Sequence, residues 1–181
     1  MSLVNNVAAG KPAVGGALSV APAGTTLPTD ATTALGGAFT NLGYISSDGV
    51  TKTISRETEE IKAWGGDTVL TTQTEYSEKF TFSLLETLDA NVKKLVYGDA
   101  NVTETNGGIT AISNSAELAE HAMVFEMIQG GRAVRRVVPC AKVTEIGEIT
   151  YVDGEPVAYE LTITALPDAS GNASYEYTAA A

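Results

Sequence analysis

Residues 78–98 read EKFTFSLLETLDANVKKLVYG, and within them the hydrophobic period changes from that of a strand to that of a helix. Phe80, Phe82 and Leu84 alternate with Lys79, Thr81 and Ser83, as in a strand with one buried and one polar face. Leu88, Val92 and Leu95 then recur at helical spacing. Thr87 is placed to cap that helix and Asp89 to meet its positive first turn. Lys93 and Lys94 suit the last turns, and Gly98 suits the C′ position. The pattern predicts a strand running into one helix at about residues 87–97.

The same alternation recurs outward from this stretch. In VAYELTIT, residues 157–164, Val157, Tyr159, Leu161 and Ile163 oppose Ala158, Glu160, Thr162 and Thr164. AMVFEMIQ and RAVRRVVPCAKVTEIGEITYV read as further strands, broken by Gly130-Gly131 and by a turn at Asp153-Gly154. Asp48-Gly49 reads as a turn between two strand-like runs. Residues 1–38, rich in Ala, Gly, Thr and Pro, show no sustained period and are expected to form a flexible N-terminal arm. Residues 39–167 then form the β domain, and the polar end, 168–181, a second flexible tail.

Composition narrows the function. The chain has 181 residues and a net charge of −11, which disfavours general binding to nucleic acid or anionic membranes. The single cysteine, Cys140, has no internal disulfide partner and sits in an apolar run, as an inert buried thiol would. The one histidine, His121, opens a strand, where a hydrogen-bonded structural role is the default. No zinc spacing, phosphate-binding loop, dinucleotide fingerprint or nucleophile elbow occurs. The acids of RETEE, residues 56–60, read as a solvated face. Neither catalytic residues nor a cofactor or metal site is expected.

EIKAWGGD, residues 60–67, raises a different question: it sets the only tryptophan, Trp64, beside Gly65-Gly66, where a hairpin tip would lie. Together with LGY at 42–44, SDGV at 47–50, TEYSEKFTFSLLETLDANV at 74–92 and KLVYG at 94–98, in that order, it resembles the major tail (tail tube) proteins of long-tailed phages, especially those of actinobacterial siphophages. The resemblance covers about residues 42–98. It implies a mainly β fold, a tail-tube β-sandwich or barrel with one flanking helix, a long hairpin loop and extended terminal arms. It also implies hexameric rings stacked into a hollow tube, whose lumen is an inner barrel of strands from all six subunits. The type VI secretion tube protein is similar in fold. Expected partners are further copies of the chain and the tape-measure, tail-terminator and baseplate or tip proteins. DNA would pass without specific binding. The site of action would be the virion tail, assembled in the host cytoplasm.

On this reading Trp64, Gly65 and Gly66 form an inter-subunit contact, because tryptophan is enriched among interface hot spots. The alternative is an indole folded back onto its own domain. Arg132, Arg135 and Arg136, the only basic cluster, are expected in ion pairs within or between subunits. The cleanest alternating strand gives lumen candidates Glu160, Thr162 and Thr164, and the preceding segment adds Glu145 and Glu148. Two competing functions share the composition: another virion role, such as head decoration or completion, and a carbohydrate-binding β-sandwich. The latter calls for exposed aromatics on a rigid face, whereas the aromatics here mostly occupy alternating core positions.

Overall fold

The computed structural model describes residues 7–13 and 16–180. In chain order it comprises β1 (Gly10–Pro12), β2 (Leu18–Pro22), β3 (Thr40–Asn41), β4 (Ile45–Lys62) and β5 (Thr68–Leu84). Helix α1 (Ala90–Tyr97) and a 3-10 turn (Asp99–Asn101) lead to β6 (Val102–Thr105) and β7 (Gly108–Ala111). The chain continues through β8 (His121–Gln129), β9 (Arg132–Ile146), β10 (Tyr159–Leu166) and β11 (Tyr175–Thr178). The fold is mainly β, with α1 as the α-helix among the described residues.

Nine strands form one sheet in the order β3-β2-β8-β9-β10-β5-β4, with β1 added to β8 and β11 to β9; β6 and β7 form a separate hairpin. The long β9 makes this branching possible. Its Cys140–Ile146 half pairs with β10, while Val134–Val137 pairs with β11. All main-sheet pairings are antiparallel.

The core lies inside the curl of the main sheet: Phe80 of β5 and Phe125 of β8 stand three strands apart in the strand order yet meet, and α1 packs against the same cluster. Period-two alternation sends Phe80, Phe82 and Leu84 of β5 inward beside Tyr159, Leu161 and Ile163 of β10. Val92, Leu95 and Val96 of the helix close over them. Phe125 is packed between two aromatic neighbours, stacked on Phe80 at 5.3 Å and edge-on to Phe82 at 5.5 Å. Such pairs add about 0.5–1.5 kcal/mol beyond area burial.

The helix starts later than its sequence pattern predicts. Asp89, not Thr87, is the N-cap: its carboxylate accepts from the Asn91 and Val92 backbone N–H groups at 2.6 and 3.3 Å. Leu88 falls before the cap and is exposed. Gly98 does cap the end, with φ +92°, and its N–H bonds Lys94 O at 2.8 Å.

Both terminal segments carry strands that composition concealed. In β2, Leu18 is buried in the core and Val20 packs against it as the strand pairs with β8, so the expectation of a flexible arm fails for Leu18–Pro22. Small residues and a proline mask an inward face only two residues wide, Leu18 and Val20. At the other end β11 fills the edge of β9 that β10 leaves open, so Tyr175–Thr178 is likewise no free tail. Asp48-Gly49 is an irregularity within β4, where the register shifts between Ile45 and Val50, rather than a hairpin turn.

Candidate assembly surfaces

Beyond the sheet, β4 and β5 continue as a two-stranded ribbon. β5 pairs with β10 from Leu84 only as far as Lys79. Its pairing with β4 persists from there to Lys62 and Thr68. The residues expected to be a loop are therefore paired strands, but from about Thr53 to Tyr76 most are exposed on both faces. Among the described residues, β4 pairs only with β5, so its outer edge is open throughout. An open edge of this length is an association site unless something covers it.

Trp64 is at the far end and fully exposed, so the folded-back alternative does not hold. The tip closes through Ala63 N–H to Asp67 O at 2.8 Å and Gly66 N–H to Ala63 O at 3.0 Å. Gly65 and Gly66 take φ +124° and +100°, values that side-chain-bearing residues rarely adopt. The glycines thus hold the indole out rather than letting the chain wrap it. Lower on the ribbon, Arg56 lies over the Tyr76 ring at 4.7 Å and bonds Gln73 at 2.9 Å. Glu57 faces Glu75 directly across the strands, a like-charge pair that costs stability.

The second surface is the face of the sheet opposite the core. Glu160 is exposed, with Thr162 and Thr164 half-exposed on the same side of β10. Register places Thr81 and Glu145 beside Thr162, and Lys79 and Lys142 beside Thr164. Hydroxyls bridge the strands: Thr81 to Thr162 at 3.0 Å and Thr144 to Thr164 at 3.1 Å. Lys142 is paired with Glu117. The wall is thus threonine-rich with mixed charge. Glu148 lies in the connection between β9 and β10, outside either strand.

The arginines do not form one patch. Consecutive strand residues face opposite sides, and Arg135 is buried while Arg136 pairs with Glu176. Arg135 Nε and Nη2 bond Glu126 at 3.1 and 2.6 Å, and its remaining donors bond Asp30 O at 2.8 Å and Thr33 O at 2.9 Å. It is committed inside the chain, which removes it from the inter-subunit set. Arg132, beside the β8–β9 turn, is exposed.

The family model for phage tail tube proteins matches residues 4–180. The chain belongs to that family. Among solved structures, the tube-terminating cap of the anti-feeding prophage aligns with a TM-score of 0.51 at 13% identity, over 99% of this chain and 100% of the cap chain. A chain of the sheath-tube complex of an extracellular contractile injection system, in its extended state, aligns at 0.45 and 9% identity, over 93% of each chain. Identity this low in the cap comparison supports a shared fold alone. No curated protein matches the chain.

A tail tube protein is a structural component of the virion tail, not an enzyme. Burial, and then a hydrogen bond to Glu120, push the Cys140 thiol up to about 11, so it stays protonated at neutral pH. Burial lowers the His121 pKa, against the opposing charge of Asp99. Among the described residues, no group of three or more His, Cys, Asp or Glu side chains is arranged to hold a metal. No described helix is long and apolar enough to cross a membrane. Sequence reasoning missed Thr144 and Lys142 on the threonine-rich face. Their signal was the parity of β9, readable only once its register against β10 was known.

Proposed function

We propose that this tail tube protein closes into hexameric rings that stack as the tail tube of a long-tailed phage of the actinobacterial-phage type, the conduit for DNA into the host cell. One observation carries the proposal. The family's chain here projects a fully exposed tryptophan on a ribbon whose long edge is unpaired. In an isolated subunit both features are liabilities; in a closed polymer both become contacts. Trp64, Gly65 and Gly66 form the inter-subunit contact, with Arg132 and Arg136 as secondary candidates.

The threonine-rich face is the lumen wall, with Glu160, Thr162, Thr164 and Glu145 facing the passing DNA and Glu148 at its margin. A conduit works best when it does not hold its cargo. Each cation on the wall adds salt-dependent affinity for phosphate; of the two there, Lys142 is paired with Glu117, and Lys79 is exposed with no salt-bridge partner among the described residues. Tape-measure, tail-terminator and baseplate or tip proteins complete the tail, which assembles in the host cytoplasm.

Electron microscopy of the purified protein tests this reading. Six-fold rings and stacked hollow tubes are expected. Compact monomers or trimers at all concentrations would favour head decoration or completion and overturn it.

A further inference from the structure

At the root of the same ribbon is an open groove of about 430 Å³ between β1, the irregular start of β4 at Ile45–Val50, and β8. Its floor is apolar: Ile45, Val50 and Met127 are half-buried against the core, and Phe125 lies beneath them. Its rim carries one cation, Lys11, and one exposed anion, Asp48. The ribbon tip has the complementary composition, with Lys62 and Asp67 flanking the exposed indole of Trp64. Among the described residues none of these four charges has a salt-bridge partner.

We propose that the groove receives the Trp64 tip of a second copy of this chain, with Asp67 meeting Lys11 and Lys62 meeting Asp48. The inference rests on the tube reading and specifies the receiving surface. The groove has ample room for one indole, and the Ser47 hydroxyl on the lining can accept its N–H.

The occupant must come from another molecule. About 14 residues of strand separate Val50 from Trp64, which at ~3.3 Å per residue is about 45 Å. The ribbon is paired along that length, so the tip cannot fold back to its own root. Tip and groove are different surfaces, so the contact is head-to-tail and repeats from copy to copy. The ribbon length limits the distance between the donor's root and the receiving root to about 45 Å.

Cross-linking tests this in the full chain, in a Cys140→Ser background. Lys11→Cys combined with Asp67→Cys is expected to give a ladder of covalent oligomers on oxidation of the assembled protein, and no internal bridge in the monomer. Charge exchange supplies a second measurement. Lys11→Asp and Asp67→Lys are each expected to raise the critical concentration for assembly roughly two- to fivefold, and the double variant to restore it.

Tubes that form and are weakened by Trp64→Ala, yet give neither the ladder nor the rescue, would overturn the groove assignment and leave the tube reading intact. A cross-linked monomer would overturn it also, assigning the groove to the chain's own tip. A protein that forms no rings or tubes under any condition would overturn both.

Discussion

Lys52 Nζ lies 2.7 Å from the Glu78 carboxylate at the point where the ribbon leaves the sheet. Glu78 is the first residue of β5 beyond its last pairing with β10, at Lys79. It is buried, and it also accepts hydrogen bonds from Tyr76 at 2.7 Å and from Ser174 just before β11. One carboxylate therefore ties together the base of the ribbon, the start of its outer strand and the C-terminal segment.

This hub sets a pH dependence. Burial pulls the Glu78 pKa upward, but hydrogen bonds from Lys52, Ser174 and Tyr76, with the Lys52 charge, outweigh it and hold the group below its ordinary value. A carboxyl depressed in the folded state stabilises the fold above its unfolded pKa of ~4.3, and this stabilisation is lost as pH falls through the lower folded value. Glu78→Gln is expected to cost about 1–3 kcal/mol at pH 7. The gap from the parent chain should narrow below about pH 4. Urea unfolding at a series of pH values checks both; a gap independent of pH would show that the carboxylate charge contributes nothing.

Arg135 gives a second stability prediction. Its guanidinium joins Glu126 to the backbone of the 30–33 turn, and a lysine cannot reproduce that fork. Arg135→Lys is expected to destabilise by about 1–3 kcal/mol, and Arg135→Ala by more, because Glu126 and the Asp30 and Thr33 carbonyls all lose their donor. Hydrogen exchange should rise first at residues 30–33. Unchanged exchange there would mean that the turn is held by its own contacts, such as Asp30 Oδ1 to the Thr32 and Thr33 N–H groups at 2.7 and 2.6 Å.

The elements most legible in the sequence were those whose burial is one-sided and whose side chains are large. β5 and β10 alternate cleanly, and Gly130-Gly131 turns β8 into β9. Trp64 was placed at a hairpin tip because two glycines follow it. The strands missed were those specified by a partner rather than by their own pattern. β2 has only Leu18 and Val20 to turn to the core, and β11 exists because β9 outruns β10. Arg135 and Arg136 are ion-paired as expected, within the chain with Glu126 and Glu176, but their adjacency in sequence puts them on opposite faces of the strand rather than in one patch. Which tip contacts which surface depends on a second subunit, and a single chain's periodicity carries no such information.

Trp64 and Phe125 should behave as opposites. Phe125→Ala removes a buried ring packed on Phe80 and Phe82 and is expected to cost about 3–5 kcal/mol of subunit stability. Trp64→Ala removes a fully exposed side chain and should change subunit stability by no more than about 0.5 kcal/mol. Assembly should nevertheless weaken, with a hot-spot loss of ~2 kcal/mol or more. Thermal unfolding and sedimentation separate the two effects. Normal assembly of the Trp64 variant would remove the indole from any interface.

The charge of the proposed lumen gives the last prediction. Glu160 is exposed on the face opposite the core, two residues along β10 from Thr162 and beside Glu145 across the Thr162 register. Its side chain has no salt-bridge or hydrogen-bond partner among the described residues, so Glu160→Lys should leave the fold and the assembly unchanged. In a stacked tube the substitution repeats once per subunit and turns an anionic row into a cationic one. Each phosphate neutralised adds salt-dependent affinity, with a slope of ~0.9 in log–log form, and a track of such contacts retards the DNA moving over it. DNA ejection is therefore expected to slow, most strongly at low salt, with tubes of normal length. Glu160→Gln, which removes charge without adding a phosphate contact, should slow ejection far less. Ejection kinetics that are the same for all three proteins across salt concentrations, with each variant shown to be in the tube, would place Glu160 outside the lumen.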